Sequence, residues 1–205
     1  TIRKSKTQFY SIHFHNETIL LKGARVFEFE QISHLLEEKV HQTVLEINLN
    51  ALTHNLKAYQ QLLQPGVQLM AMVKAFSYGS GGFEIANLLQ FQQVDYLAVA
   101  YADEGVELRR AGINLPILVL NPEEATFDVL VKYHLEPELY SFSILSGFQQ
   151  YLEQSGVTSY PVHIKLDTGM HRLGFETKDL FELGNLLHTS GPFKVQSVFS
   201  HLAAS

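Results

Sequence analysis

From residue 69 onward the chain repeats one unit: a short apolar run, then a longer amphipathic segment. The runs are Leu69–Val73, Tyr96–Ala100, Pro116–Leu120, a weaker Leu135–Leu139, Val162–Leu166 and Lys194–Phe199. Between them, apolar residues recur at helical spacing over about 83–91, 102–111, 121–133, 144–153 and 179–187. Runs apolar on both faces belong to strands covered on both sides, and intervening helices provide the crossovers of a parallel sheet. Six such steps without a break favour an α/β fold of the TIM type, a (β/α)8 barrel; an open doubly wound sheet shows the same alternation and is the alternative. On the barrel reading two strands would follow Ser205, so the sequence is expected to be a barrel truncated after about six strands. The start at Thr1 without Met points the same way, to a piece of a longer chain.

The chain divides into two zones, the second of which carries that rhythm. In residues 1–40, Phe9–Phe14 alternates like a strand and Glu17–Leu21 is a second apolar run, followed by the turn Lys22-Gly23-Ala24-Arg25. Phe29, Ile32, Leu35 and Leu36 then recur at helical spacing, with Glu28 and Glu30 near the start, where the helix dipole favours acids. Residues 37–42 read as a short linker, and a second domain is expected over 43–205. It opens with a strand over Val44–Leu49 and a helix capped by Asn50, with Leu52, Leu56, Tyr59 and Leu63 on one face and Pro65-Gly66 as its stop.

Composition removes several classes of function. The net charge of −6 lacks the basic face of a general nucleic-acid binder. The absence of cysteine excludes disulfides and thiolate chemistry and fits a reducing, cytoplasmic setting. No apolar run approaches the roughly 20 residues that span a bilayer, and no signal-peptide core follows Thr1, so no membrane association is expected. The ten histidines form no metal spacing; His13 and His15 make a pair without a third ligand. The Lys22–Arg25 turn lacks a P-loop framework, and Asp103–Glu107 reads as a solvated helix start.

Barrel chemistry sits at the C-terminal ends of strands, and three clusters fall there. Lys74 directly follows Leu69–Val73. A lysine leaving a dry strand is desolvated, which favours the neutral amine that bonds a carbonyl. Ser77, Tyr78 and Gly79–Gly82 follow as a hydroxyl- and amide-rich loop suited to a phosphate. The second cluster runs from Lys165 to Phe175. Lys165 and Asp167 alternate with Ile164 and Leu166 and are expected to point inward, and Arg172 can bind a carboxylate through two nitrogens. The third is His201, just past the sixth run. Each has a plainer reading: a surface lysine before a Gly-rich turn, a structural Lys–Asp–Arg ion network, a satisfied histidine. Their convergence on one mouth favours a site.

The residues also carry a family likeness. Ala71–Gly81 resembles the segment of alanine racemases whose lysine binds pyridoxal phosphate (PLP), and His163–Gly174 resembles their HxKxDTGMxRLG signature. Ile47–Leu56 and Glu104–Leu120 are similar to neighbouring segments of the same family. The resemblance implies that Lys74 carries PLP and acts as one of two racemisation bases, that Tyr78 bonds the phosphate, and that His201 lies against the pyridine ring. It implies that Arg172 binds the carboxylate of the substrate, alanine. Lys165 matches a position carbamylated in many members, where the carbamate orients the arginine. The second base would be a tyrosine from the partner subunit of a homodimer. Phe76 and Ser80 depart from the family's usual Asn and His, which touches the loop and leaves the role of Lys74 intact.

Thr18–Arg25 and Leu35-Leu36-Glu37 resemble the C-terminal end of the ligase that adds D-alanyl-D-alanine to UDP-N-acetylmuramoyl-tripeptide. Together the two resemblances imply a bifunctional protein that makes D-alanine for peptidoglycan and uses it; an N-terminal extension packed on the barrel is the simpler reading. Other PLP barrels are the rivals in function: an amino-acid decarboxylase, which the Asp167–Gly174 signature disfavours, a racemase of other substrates, or a non-catalytic PLP-binding protein. A barrel lacking two strands leaves unpaired edges, so residues 1–205 alone are expected to be inactive and poorly soluble.

Overall fold

The computed structural model describes residues 46–74, 82–188 and 191–202. The readings made for residues 1–45, including the ligase-like zone, and the phosphate role of Tyr78 lie outside the described residues.

Helix α1 (Leu49–Leu62) leads into strand β1 (Met70–Met72). There follow α2 (Gly82–Phe91), β2 (Tyr96–Val99), α3 (Ala102–Arg110), β3 (Ile117–Val119), α4 (Phe127–Lys132), β4 (Glu136–Leu139), α5 (Phe142–Gln154), β5 (Tyr160–Leu166), α6 (Leu180–His188) and β6 (Phe193–Ser200). The strands form one sheet in the order β1-β2-β3-β4-β5-β6, every neighbouring pair parallel. Sequential order is the barrel's signature; a doubly wound sheet reverses order at a switch point. The sheet is a curled half-barrel of six strands. The six strand positions and four of the five crossover helices coincide with the expected segments; α4 is shorter than expected. Among the described residues no helix is long and apolar enough to cross a membrane.

Three local readings are corrected. Asn48, not Asn50, caps α1: its side-chain oxygen accepts from the Asn50 and Ala51 amides at 3.0 and 3.1 Å. The strand expected over Val44–Leu49 is absent in its described part, because Glu46–Asn48 pair with no strand and Leu49 already begins the helix. The crossover helix expected over 121–133 does not start at Asn121-Pro122. The Asn121 backbone and side-chain amides both donate to the Ala100 carbonyl (2.9 and 3.1 Å), which holds this segment to the end of β2 and delays the helix to Phe127.

The outer faces of the strands and the inner faces of the helices build one apolar layer. Leu97, Val99, Ile117, Val119, Leu139, Val162 and Ile164 are essentially sealed from solvent. Beneath α5, Phe148 is fully buried among Phe127, Tyr160 and Phe193, with ring centroids at 5.0, 5.5 and 6.2 Å. A ring buried this way contributes roughly 2–3 kcal/mol through area alone. Arg109 ties α3 to its surroundings by donating to the carbonyls of Ile113, Leu115, Tyr133 and His134.

Candidate active site

Because side chains alternate along a strand, every second residue points to the concave side of the half-barrel. There the sheet cradles a cavity of about 470 Å³, lined by Met70, Met72 and Lys74 from β1 and its end, Ala98 and Leu118 from β2 and β3, and Glu138 from β4. Lys165 of β5, Asp167 and Arg172 of the loop after it, and Phe199 and His201 of β6 and its end complete the wall.

Local bonds aim these groups. The buried Val73 donates to the Ala98 carbonyl at 2.8 Å, so the strand's pairing continues to the residue before Lys74. Lys74 then stands half-buried at the rim. At the end of β2, Glu104 turns its carboxylate back onto the Ala100 and Tyr101 amides at 2.7 and 3.1 Å. The Asp103–Glu107 stretch, read as solvated, is thus solvated at Asp103 and Glu107 only.

The loop after β5 is fastened at both ends. Asp167 donates its amide to the Phe175 carbonyl and Phe175 donates to the Lys165 carbonyl, both at 2.9 Å. Within it, the Asp167 carboxylate accepts the amides of Gly169 (2.9 Å) and His171 (3.1 Å) and lies 3.5 Å from the His171 ring. The Gly169 and His171 amides hold that carboxyl below its ordinary range. Gly174 adopts φ +127°, and a Cβ there would meet the Asp167 nitrogen at 2.5 Å, so only glycine fits the crossing. Arg172 is carried on this closed loop, exposed at the mouth.

The structure therefore brings Lys74, Lys165, Arg172 and His201 to one cavity, as the strand-end rule anticipates. Lys165 points inward, 8 % exposed, with its Nζ 4.4 Å from the Phe199 ring centroid. Asp167 also lines the cavity but spends its oxygens on the loop. The simpler Lys165–Asp167–Arg172 ion network does not form among the described residues, where the only ionic contact of Asp167 is His171. His201 is exposed, and its carbonyl receives the Thr168 hydroxyl at 3.5 Å.

Sequence reasoning missed the glutamates of β4. Glu138 is 2 % exposed, and its Oε2 finds no hydrogen-bond partner among the described residues. Burial raises its carboxyl to about 7, against the pull of Lys165 and Arg172. One layer deeper, Glu136 Oε2 sits 2.8 Å from His163 Nε2, and His163 Nδ1 sits 2.7 Å from the Ser197 hydroxyl. A carboxylate acceptor assigns the proton to Nε2, leaving Nδ1 to accept from Ser197. The Tyr96 ring packs edge-on against His163 at 5.6 Å, and its phenol is pushed up by burial first and by Glu136 second. The signal was the alternation Leu135-Glu136-Pro137-Glu138-Leu139: two acids at period two inside an otherwise buried strand.

The sequence family described as "Alanine racemase, N-terminal domain" matches residues 47–205. An alanine racemase of Synechocystis sp. is 38 % identical over 165 residues, covering 78 % of this chain and 44 % of that protein. An amino-acid racemase of Enterococcus faecalis is 40 % identical over 166 residues, covering 78 % of this chain and 22 % of its own. Among solved structures, the alanine racemase of Clostridium difficile 630 in complex with cycloserine superposes with a TM-score of 0.72 at 33 % identity, over 80 % of this chain and 46 % of that one. The alanine racemase from E. faecalis gives 0.71 at 32 %, over 77 % and 43 %. The chain spans less than half the length of these relatives.

Proposed function

The chain belongs to the alanine racemase N-terminal domain family, and from that premise we propose that it supplies the cofactor-bearing half of a PLP-dependent racemase interconverting L- and D-alanine. The observation that carries this reading is the meeting of Lys74, Lys165 and Arg172 around one cavity whose β1–β3 wall is apolar. That donor set fits PLP: an amine at the rim to bond an aldehyde, an apolar wall to face a flat ring, and cations for the anionic groups of cofactor and substrate.

In this reading Lys74 holds the cofactor and takes or returns the proton at the substrate Cα. PLP when bound withdraws electrons and acidifies that Cα–H. Arg172 grips the substrate carboxylate and so fixes which face of Cα meets Lys74. The loop bonds of Asp167 hold the segment that carries Arg172 to the cavity. Tyr78 binds the phosphate, and His201 lies against the ring. The proton on the opposite face is handled by a group from a partner subunit, making the functional protein a homodimer. The ligase-like features of residues 1–40 support the further reading of a bifunctional, cytoplasmic protein that makes D-alanine for peptidoglycan and adds it as D-alanyl-D-alanine.

The test is chiral chromatography of alanine incubated with the full-length protein and PLP. D-alanine forms from L-alanine, and Lys74→Ala abolishes both this and the absorbance band of lysine-bound cofactor. Turnover of serine or another amino acid in place of alanine would overturn the substrate assignment.

A further inference from the structure

Asp167 and Glu138 both line the cavity, and their surroundings are opposite. Asp167 accepts the Gly169 and His171 amides, and these hold its carboxyl ionised, below the ordinary range. Glu138 lies on the inner face of β4, almost wholly removed from water, and its Oε2 has no hydrogen-bond partner among the described residues. Its strand neighbours supply no donor. On the β3 side the wall is apolar, Leu118 and Leu120. On the β5 side His163 stands in register with Glu138, but its two ring nitrogens are engaged by Glu136 and Ser197. The Tyr140 phenol, on β4 itself, is raised by burial and then by Glu138 and Glu123, and stays neutral. Lys165 and Arg172 favour the anion through their charge, yet burial outweighs them and lifts the carboxyl to about 7. A carboxylate stripped of water and of donors is costly, whereas the protonated acid escapes that cost and has an O–H to give. Titratable groups pushed apart by their environments take opposite roles.

We infer that Glu138 serves as a neutral carboxylic acid, a second hydrogen-bond donor beside Arg172 for the carboxylate of the ligand. The inference rests on the racemase reading, which supplies that carboxylate. Arg172, exposed at the mouth, attracts the ligand by charge. Glu138, buried in the same wall, donates its O–H to an oxygen brought into the cavity. The arriving anion favours the protonated form of Glu138 further, since like charges disfavour each other. The donor is thus secured as the site fills, and it orients a carboxylate without adding a third cation beside Lys165 and Arg172.

The experiment uses the full-length protein loaded with PLP, and propionate as the probe, which has the carboxylate of alanine and no amine. Infrared difference spectra at neutral pH should show a carboxylic-acid C=O stretch that shifts when propionate binds and is absent in Glu138→Gln. Propionate is itself ionised at that pH, so the band belongs to the protein. Glu138→Leu, which lacks a donor, should bind propionate about tenfold more weakly, the scale of one hydrogen bond to a charged group, with the cofactor absorbance unchanged. Glu138→Gln keeps an N–H donor and should recover most of that affinity. The inference is overturned by a wild-type spectrum without the acid band, by a band that propionate does not move, or by a loss in Glu138→Gln as large as in Glu138→Leu. The wild-type spectrum decides without any variant having to fold. Racemisation of alanine without the acid band sinks this inference alone; a band that responds to propionate in a protein that racemises no amino acid sinks the functional reading alone.

Discussion

The two halves of the sheet share a backbone plan and differ in what they show the cavity. Strands β1–β3 present Met70, Met72, Ala98 and Leu118, with Lys74 as the lone charge at their end. Strands β4–β6 present Glu138, Lys165 and Phe199, backed one layer deeper by the chain Glu136–His163–Ser197. Their outward faces are alike: Leu97, Val99, Ile117 and Val119 in one half, Leu139, Val162 and Ile164 in the other. The same strand thus does two jobs. Its outer residues hold the helices by non-directional burial, and its inner residues choose between a slippery wall and a hydrogen-bonded floor. A wall tolerates change in proportion to volume lost, whereas a floor fails when one member of a network is removed and its neighbours stay behind.

The largest effect should come from breaking that floor. His163→Leu leaves Glu136 and Ser197 without their shared partner and is expected to cost about 4 kcal/mol of unfolding free energy in urea titration. Adding Glu136→Leu should restore a good part of it, because the buried carboxyl goes with its partner. Leu118→Ala, on the opposite wall, should cost about 3 kcal/mol with nothing to restore. If His163→Leu proves milder than Leu118→Ala, the contrast between the halves collapses.

A slightly smaller effect runs in the opposite direction. The Glu138 carboxyl rises from 4.5 to about 7 on folding, through burial set against Lys165 and Arg172, and the neighbouring Tyr140 phenol is also pushed up, by burial and then by Glu138. Between those pH values the folded protein keeps a proton that the unfolded chain has lost. Stability therefore falls as pH rises through this window, by roughly 3 kcal/mol. Glu138→Gln should flatten melting temperature against pH between 5 and 8 and leave the variant more stable than wild type at pH 8.

The smallest of the three sharpens the role of the β5 loop. Gly174→Ala must shift backbone against backbone at φ +127°, at a cost of about 2 kcal/mol. Since the loop carries Arg172, KM for alanine should rise more than the loss of stability accounts for, with the cofactor absorbance unchanged.

The apolar layer was legible in the sequence because both halves obey it. Runs such as Leu69–Val73 and Val162–Leu166 mark strands whatever faces the cavity, and the rhythm between them gives sequential parallel order. Lys74, Lys165, Arg172 and His201 were legible because strand ends face one mouth. Glu138 and the Glu136–His163–Ser197 chain were not. Their partners lie 27 and 34 residues apart along the chain, and in sequence a glutamate flanked by leucine and proline reads as a weak strand. The cap of α1 failed for a smaller reason: Asn48 and Asn50 are both asparagines, and only backbone direction tells which one reaches the free amides.

The fastening of the β5 loop makes residue number itself a mechanical quantity. Phe175 is pinned to Lys165 and Asp167, and Gly174 crosses directly over Asp167, so the path between Asp167 and Gly174 is a closed ring of fixed circumference. An insertion or deletion in most surface turns changes only the slack. Here one residue more or fewer would rotate Arg172 off the mouth or force the ring open. The loop is a ruler written into the chain, and its length should be the last thing at this rim to vary.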